Sequence, residues 1–191
     1  MASEILLVNG SPRPQGNSSR LAEVCGEVFD QNGRSWERID LRSLKIAPCL
    51  GCWLCREGKV KYCAQQDDMT QLYDKVLACR ALMLVSPIYW FSITAQLKGF
   101  IDRLDGLWHW DRAFLANKRV GAVLVYMDVD MIESGAVHAM ASLEHLFRYT
   151  RADCRGFAHG TAENPGDAER NADLMERTRN LARSLAGVPD R

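Results

Sequence analysis

Apolar and polar positions along the chain fall into two alternating rhythms. "EILLVNG" (4–10) is a short apolar run closed by Asn9-Gly10, which predicts a buried strand ending in a loop. From Asn17 to Phe29 the apolar residues Leu21, Val24, Cys25 and Val28 recur at helical offsets, and Asn17 or Ser18 is placed to cap the first turn. "SWERIDL" predicts the second strand. "DDMTQLYDKVLAC" returns to helical spacing through Met69, Leu72, Val76 and Leu77, with Asp67 or Asp68 as cap, and leads into a third strand, "ALMLVSPIYW". The same reading gives a helix in "SITAQLKGFIDRL", a strand in "RVGAVLVYMD" and a helix through Val137, Met140, Leu143 and Leu146. A weaker strand follows in "ADCRGFAHG", then a last helix from about Asp167 to Leu185, with Pro165-Gly166 ahead of it and Gly187 closing it. The terminal "GVPDR" reads as frayed.

Continuous apolar strands alternating with amphipathic helices imply a parallel sheet covered on both faces, a doubly wound α/β domain. No repeat or linker divides the chain, so residues 1–191 form one domain, with a cysteine-rich loop at about 48–66. At 191 residues such a domain buries an adequate core without disulfide or metal staples.

Charge narrows the partners. Lys plus Arg and Asp plus Glu both number 24, so there is no basic stripe for nucleic acid or an anionic membrane. No apolar run approaches the roughly 18–20 residues that span a bilayer, and "MASEILLVNG" lacks the pattern of an export signal. These features predict a cytoplasmic protein with a small-molecule partner.

In a doubly wound sheet, ligands bind at the carboxyl ends of the strands, which directs attention to the loops after the first, third and fourth strands. The first, "NGSPRPQGNSSR", runs into a helix N-terminus, where free N–H groups and the helix dipole favour an anion. Ser11, Ser18 and Ser19 add hydroxyls and Arg13 a positive charge, the composition of a phosphate cradle; a polar turn ahead of a capped helix is the alternative. It has neither the lysine of a P-loop nor the GxGxxG of a dinucleotide site. In the second, "SPIYWFS", three consecutive aromatics cannot all enter one core, so at least one faces solvent or a planar ligand. They could equally cover the next helix or a subunit interface.

Cys49, Cys52, Cys55 and Cys63 follow a CxxCxxC pattern with seven residues before the fourth. Four thiolates in so compact a run suit a 4Fe-4S cluster; zinc, a redox pair and a metal-free structural loop are the other readings. Cys25, Cys79 and Cys154 are scattered and read as buried thiols. His109, His138, His145 and His159 form no metal-spaced set.

"GSPRPQGNSSRLAE", the cysteine loop ending in "DDM", and "SPIYWFSITAQLKGFIDRL" together resemble the NAD(P)H-dependent FMN reductases and iron–sulfur flavoproteins of the flavodoxin-like superfamily. The resemblance covers roughly residues 4–105. It implies a three-layer sandwich with a five-stranded parallel sheet in the order 2-1-3-4-5. It would place the FMN phosphate on Ser11, Arg13, Asn17, Ser18 and Ser19, and the isoalloxazine against Pro87, Ile88, Tyr89, Trp90, Phe91 and Ser92. The third contact would lie after strand four, at Tyr126, Met127, Ser134 and Gly135, where "YMDVDMIESGA" is less glycine-rich than is common in the group. The four-cysteine pattern resembles that of the iron–sulfur flavoproteins, although "REGKVKY" is long for it.

The implied activity is hydride transfer from NAD(P)H to FMN N5, with no essential side-chain acid or base, and onward transfer to a quinone, a flavin, a metal, a protein acceptor or a 4Fe-4S relay. A non-enzymatic electron carrier is the rival, against which the neutral charge speaks mildly. Members of the group are homodimers or homotetramers, and "GLWHWDRAF" is a candidate interface piece or a core-covering loop.

Overall fold

The computed structural model describes residues 3–188. The elements run β1 (Ile5–Asn9), α1 (Asn17–Gln31), β2 (Trp36–Asp40), α2 (Thr70–Ala78), β3 (Ala81–Tyr89), β4 (Ser92–Ile93), α3 (Ala95–Arg103), α4 (Asp105–Trp110), β5 (Arg119–Tyr126), α5 (Ala136–Tyr149), β6 (Asp153–Thr161), α6 (Asp167–Arg170) and α7 (Ala172–Ala186). Five parallel strands lie in the order β2-β1-β3-β5-β6, the expected 2-1-3-4-5 once the two-residue β4 is set aside. That extra strand is antiparallel to the end of β3.

Strand alternation feeds two cores. Leu6, Val8, Leu82, Leu84, Ala122 and Leu124 face α2, α3 and α5, whereas Ile5, Leu7, Met83, Val85, Val123 and Val125 face α1 and α7. A side chain every second residue on each face is why these strands read as unbroken apolar runs.

Several local expectations are corrected. Gly16, with no side-chain bond, caps α1, because the Asn17 amide is drawn to the carbonyls of Ala162 and Asn164 at 3.0 and 2.9 Å. Neither Asp67 nor Asp68 caps α2, which begins at Thr70; both carboxylates instead take N–H groups of the preceding loop, at Ala47 and Lys45. The expected last helix is broken into α6 and α7 at Asn171, whose side chain accepts from Leu174 N at 3.0 Å and restarts it. Part of "GLWHWDRAF" is the helix α4: it buries Leu107 and Phe114 and leaves Trp110 exposed. Cys25 and Cys79 are buried as expected, but Cys154 lies exposed on the edge strand β6. Of the end read as frayed, 189–191 lie outside the described residues, as do residues 1–2. Among the described residues no helix is long and apolar enough to cross a membrane.

Candidate functional site

The loops after β1, β3, β5 and β6 converge on a cleft of about 350 Å³ at the carboxyl edge of the sheet. Asn9, fully buried at the end of β1, organises the first loop: its Nδ2 donates to Asp40 at 2.8 Å and to Ser19 Oγ at 3.1 Å, and its Oδ1 accepts from Ser11 N at 3.1 Å. Arg38 Nε and Nη2 close on the same Asp40 oxygen at 3.0 and 2.9 Å. Burial works against the Asp40 carboxylate, but these donors outweigh it and hold the group below the usual carboxylate range. Ser19 Oγ donates to the Arg13 carbonyl at 3.0 Å, which curls the loop over the α1 N-terminus. Because no side chain caps that terminus, its first N–H groups remain available to an anion.

The first and third loops are stitched together. Thr94 Oγ1 donates to the Gly10 carbonyl at 2.7 Å and accepts from Leu97 N at 3.3 Å, capping α3. A side chain at Gly10 would meet Leu97 Cβ at 2.7 Å and Thr94 Oγ1 at 2.9 Å, so the close approach requires glycine here.

The third loop reverses tightly. Ile88 pairs with Ile93 and Tyr89 with Ser92, leaving Trp90 and Phe91 as the two central residues, with φ of 48° and 67°. Positive φ at both positions is the signature of the type I′ hairpin, which ordinarily takes Asn and Gly; for side chains with a Cβ it costs roughly 1–2 kcal/mol per residue. Phe91 packs on Gly135, where an added Cβ would fall 2.6 Å from Phe91 Cβ, whereas Trp90 is 92% exposed.

Of the residues expected at the cofactor, Ser11, Arg13, Asn17, Ser18, Pro87, Ile88, Tyr89 and Tyr126 line the cleft, as does Met127. Ser19, Trp90, Phe91 and Ser92 do not; nor do Ser134 and Gly135, which sit at the start of α5. The Tyr126 hydroxyl meets His159 Nδ1 at 3.0 Å. Burial raises the tyrosine's pKa and lowers the histidine's, which favours a neutral pair, with the imidazole tautomer setting which of the two donates. Sequence reasoning missed Asn9 and Thr94, whose work is internal to the scaffold, and Glu163, Asn164 and Pro165, which line the cleft from after β6.

The cysteine loop occupies the segment before α2. Gly51 and Trp53, on either side of Cys52, have φ near 61° and 62°, and Gly51 N donates to Cys49 Sγ at 3.5 Å. Cys49 and Cys52 are exposed, Cys55 and Cys63 half-buried, and all four are free thiols. Among the described residues no three His, Cys, Asp or Glu side chains are gathered to hold a metal ion. The loop's base is fixed by Arg103 of α3, which donates to both oxygens of Asp67 and to the Ala47 carbonyl. At its far end, Gly106 of α4 lets the Tyr62 backbone approach so closely that a Cβ would fall 2.3 Å from its oxygen. A second, more apolar hollow of about 400 Å³ lies between α3–α4 and α5, with Cys49 on its rim.

A family model described as NADPH-dependent FMN reductase matches residues 3–157. The chain belongs to the NADPH-dependent FMN reductase family. As a member it is an NAD(P)H-dependent FMN oxidoreductase. Among relatives of this family member, an iron-sulfur flavoprotein of Methanocaldococcus jannaschii is 30% identical over 195 residues, with 97% of this chain and 96% of that one covered. An iron-sulfur flavoprotein of Archaeoglobus fulgidus is 37% identical over 128 residues; the match spans 66% of this chain but only 56% of that relative's length. Among solved structures, the Trp repressor binding protein from Bacillus subtilis superposes with a TM-score of 0.70 at 24% identity, covering 93% of this chain and 96% of that one. That superposition establishes the fold.

Proposed function

We propose that the cleft holds FMN, with its phosphate against the first turn of α1, Ser11, Arg13, Asn17 and Ser18, and its ring between Pro87, Ile88, Tyr89 and Tyr126. The observation that carries this reading is the uncapped α1 N-terminus facing the Arg13 side chain and the Ser11 and Ser18 hydroxyls, with Asn17 lining the same end while its amide braces the loop after β6, in a cleft whose other end is apolar. Bound FMN supplies the chemistry, accepting hydride from NAD(P)H and releasing electrons singly or in pairs. The chain's part is to seat both ends of the cofactor and leave one ring face open. Ser19 serves by holding the Arg13 carbonyl, Phe91 and Ser92 brace the hairpin, and Trp90 offers an exposed indole at the rim for a planar donor or acceptor.

The test separates the two ends of the cofactor. Arg13→Gln and Ser18→Ala should weaken FMN binding about tenfold each, the size of one charge-assisted contact, while leaving riboflavin affinity unchanged. Equal losses for both flavins would remove the phosphate from this loop.

The acceptor is a small oxidant such as a quinone or a protein partner, and Cys49, Cys52, Cys55 and Cys63 are the ligands of a 4Fe-4S cluster. The relatives named iron-sulfur flavoproteins support this, as does the donor set of four thiols free of disulfides. Since no three are gathered in the present loop conformation, ligation entails closure of residues 49–55 toward Cys63. Iron analysis of protein purified without oxygen tests it: about four irons per chain are expected, whereas zinc or no metal would return the loop to one of the other readings.

A further inference from the structure

The wall of the cleft at Tyr126 has a second layer. Tyr126 ends β5, and His159 lies on β6 opposite Leu124, so the two side chains share one face of neighbouring strands. The phenol oxygen meets the imidazole Nδ1 at 3.0 Å, and the two rings lie 6.0 Å apart at 30° to one another. Tyr126 lines the cleft; His159 lies outside that lining and reaches it through the phenol.

Of the described residues that line the cleft, Arg13 is the only cation, and it stands at the phosphate end. Pro87, Ile88, Tyr89 and Tyr126, which wall the other end, carry no fixed charge. Hydride delivered there brings two electrons and one proton, hence one net negative charge, and charge near a flavin ring is a lever by which a protein tunes it. His159 is hydrogen-bonded to that wall, and an imidazole gains or loses its proton near neutral pH. Burial keeps it neutral beforehand; Arg177 and Asp173 of α7 act on it in opposite senses and are paired with each other at 2.9 Å. Helix α5 also packs on β6 and adds no charge there. On the tyrosine side stands Asp130, whose carboxylate accepts from the N–H groups of Ile132 and Glu133.

We propose that His159 is a positioning residue for hydride transfer: it takes a proton from solvent as the hydride arrives and passes the compensating charge to the cleft through Tyr126. The imidazole is half-buried, so solvent reaches it. Protonation makes both ring nitrogens donors. Whichever tautomer holds at rest, Nδ1–H then donates to the phenol oxygen, and the Tyr126 O–H is free to donate into the cleft it lines. The new N–H bond is the only bond of the chain that changes, and the electrons stay with the cofactor. The inference rests on the FMN reading given above.

The experiment follows the His159 imidazole by NMR titration in the free protein, with FMN bound at saturation, and with the bound FMN reduced by dithionite; His159→Gln identifies its resonance. The titration midpoint should rise on reduction by about one pH unit or more, a gain of about tenfold in proton affinity. Tyr126→Phe, which keeps the imidazole but removes the bridge, should cut that rise. An unmoved midpoint would overturn the assignment, as would a rise undiminished in Tyr126→Phe. Linkage demands the converse as well: proton uptake on reduction near neutral pH, read with an indicator dye, should be larger in wild type than in His159→Gln, and equal uptake in the two would refute the role. If His159→Gln does not fold, the cross-peak between the imidazole and the Tyr126 ring assigns the resonance, and the wild-type midpoint decides. Wild type that binds no FMN would defeat the FMN reading itself before any midpoint is compared, and the inference with it.

Discussion

The Asn9 side-chain amide donates to the Asp40 carboxylate at 2.8 Å, so the end of β1 and the end of β2 together fix the loop ahead of α1. The same amide group holds Ser11 N and Ser19 Oγ. Replacing Asn9 with Ala leaves those groups without their partner and lets the loop open. FMN affinity, measured by quenching of flavin fluorescence, should fall at least about tenfold, since the lost bonds amount to about 1–3 kcal/mol of buried polar satisfaction. Asp40→Asn, which keeps the shape but loses the charge, should give a smaller loss in the same direction.

The buried ion pair between Arg103 and Asp67, 2.7 and 3.1 Å across its two hydrogen bonds, should govern acid stability. Burial works against the Asp67 carboxylate, but Arg103 with the N–H groups of Ala47 and Met69 overrides it and holds the pKa below the usual value. A lowered folded pKa means that the stabilisation is fully present above the unfolded-state value, about 3.9, and is lost as pH falls through the folded value. Asp67→Asn strands a buried guanidinium and should cost about 3–5 kcal/mol near neutral pH. Urea denaturation across pH should show the gap between variant and wild type closing in acid; a gap constant with pH would mean that the pair is not the source.

Trp90 sits at φ 48° with almost no packing in return for its strain, being 92% exposed. Asn tolerates that conformation better. Trp90→Asn should therefore raise the melting temperature by about 2–4 °C, corresponding to about 1 kcal/mol in a domain of this size. Turnover of NAD(P)H with a planar acceptor should fall, as an indole retained at such strain serves the site. A variant that is both less stable and fully active would refute the role.

Thiol reactivity follows burial. Burial pushes the Cys25 thiol up to about 12 and raises that of Cys79 as well, so neither should react with an alkylating reagent in the native protein. Cys49, Cys52 and Cys154 are exposed and should label in metal-free protein. Iron loading should protect Cys49 and Cys52 but leave Cys154 reactive. Peptide mapping by mass spectrometry reads both patterns.

The β/α alternation was legible because the central strands β1, β3 and β5 are buried on both faces and the long helices on one, a signal carried by neighbouring residues. What escaped the sequence is carried by residues far apart. Asn17 looks like a helix cap locally, yet it bonds to carbonyls 145 and 147 residues away. Asp67 likewise looks like a cap but pairs with an arginine 36 positions on. The β4 hairpin was hidden because Trp-Phe is not turn chemistry; only the tertiary fit of Phe91 against Gly135 accounts for it. At the site, the loops were identifiable from composition, and Ser11, Arg13, Asn17 and Ser18 do face one cleft. Ser19 points inward because helical geometry turns it toward Asn9, and Glu163 came from a loop with no distinguishing composition.

The most direct test of the central claim is an anaerobic titration of the FMN-reconstituted protein with NADPH and, separately, NADH, followed at the oxidised flavin band. One FMN per chain should bind, and its band should bleach stoichiometrically with at least one of the two nicotinamides, more weakly in Arg13→Gln at limiting FMN. A chain that binds no FMN, or binds it and stays oxidised with both donors, would contradict the account.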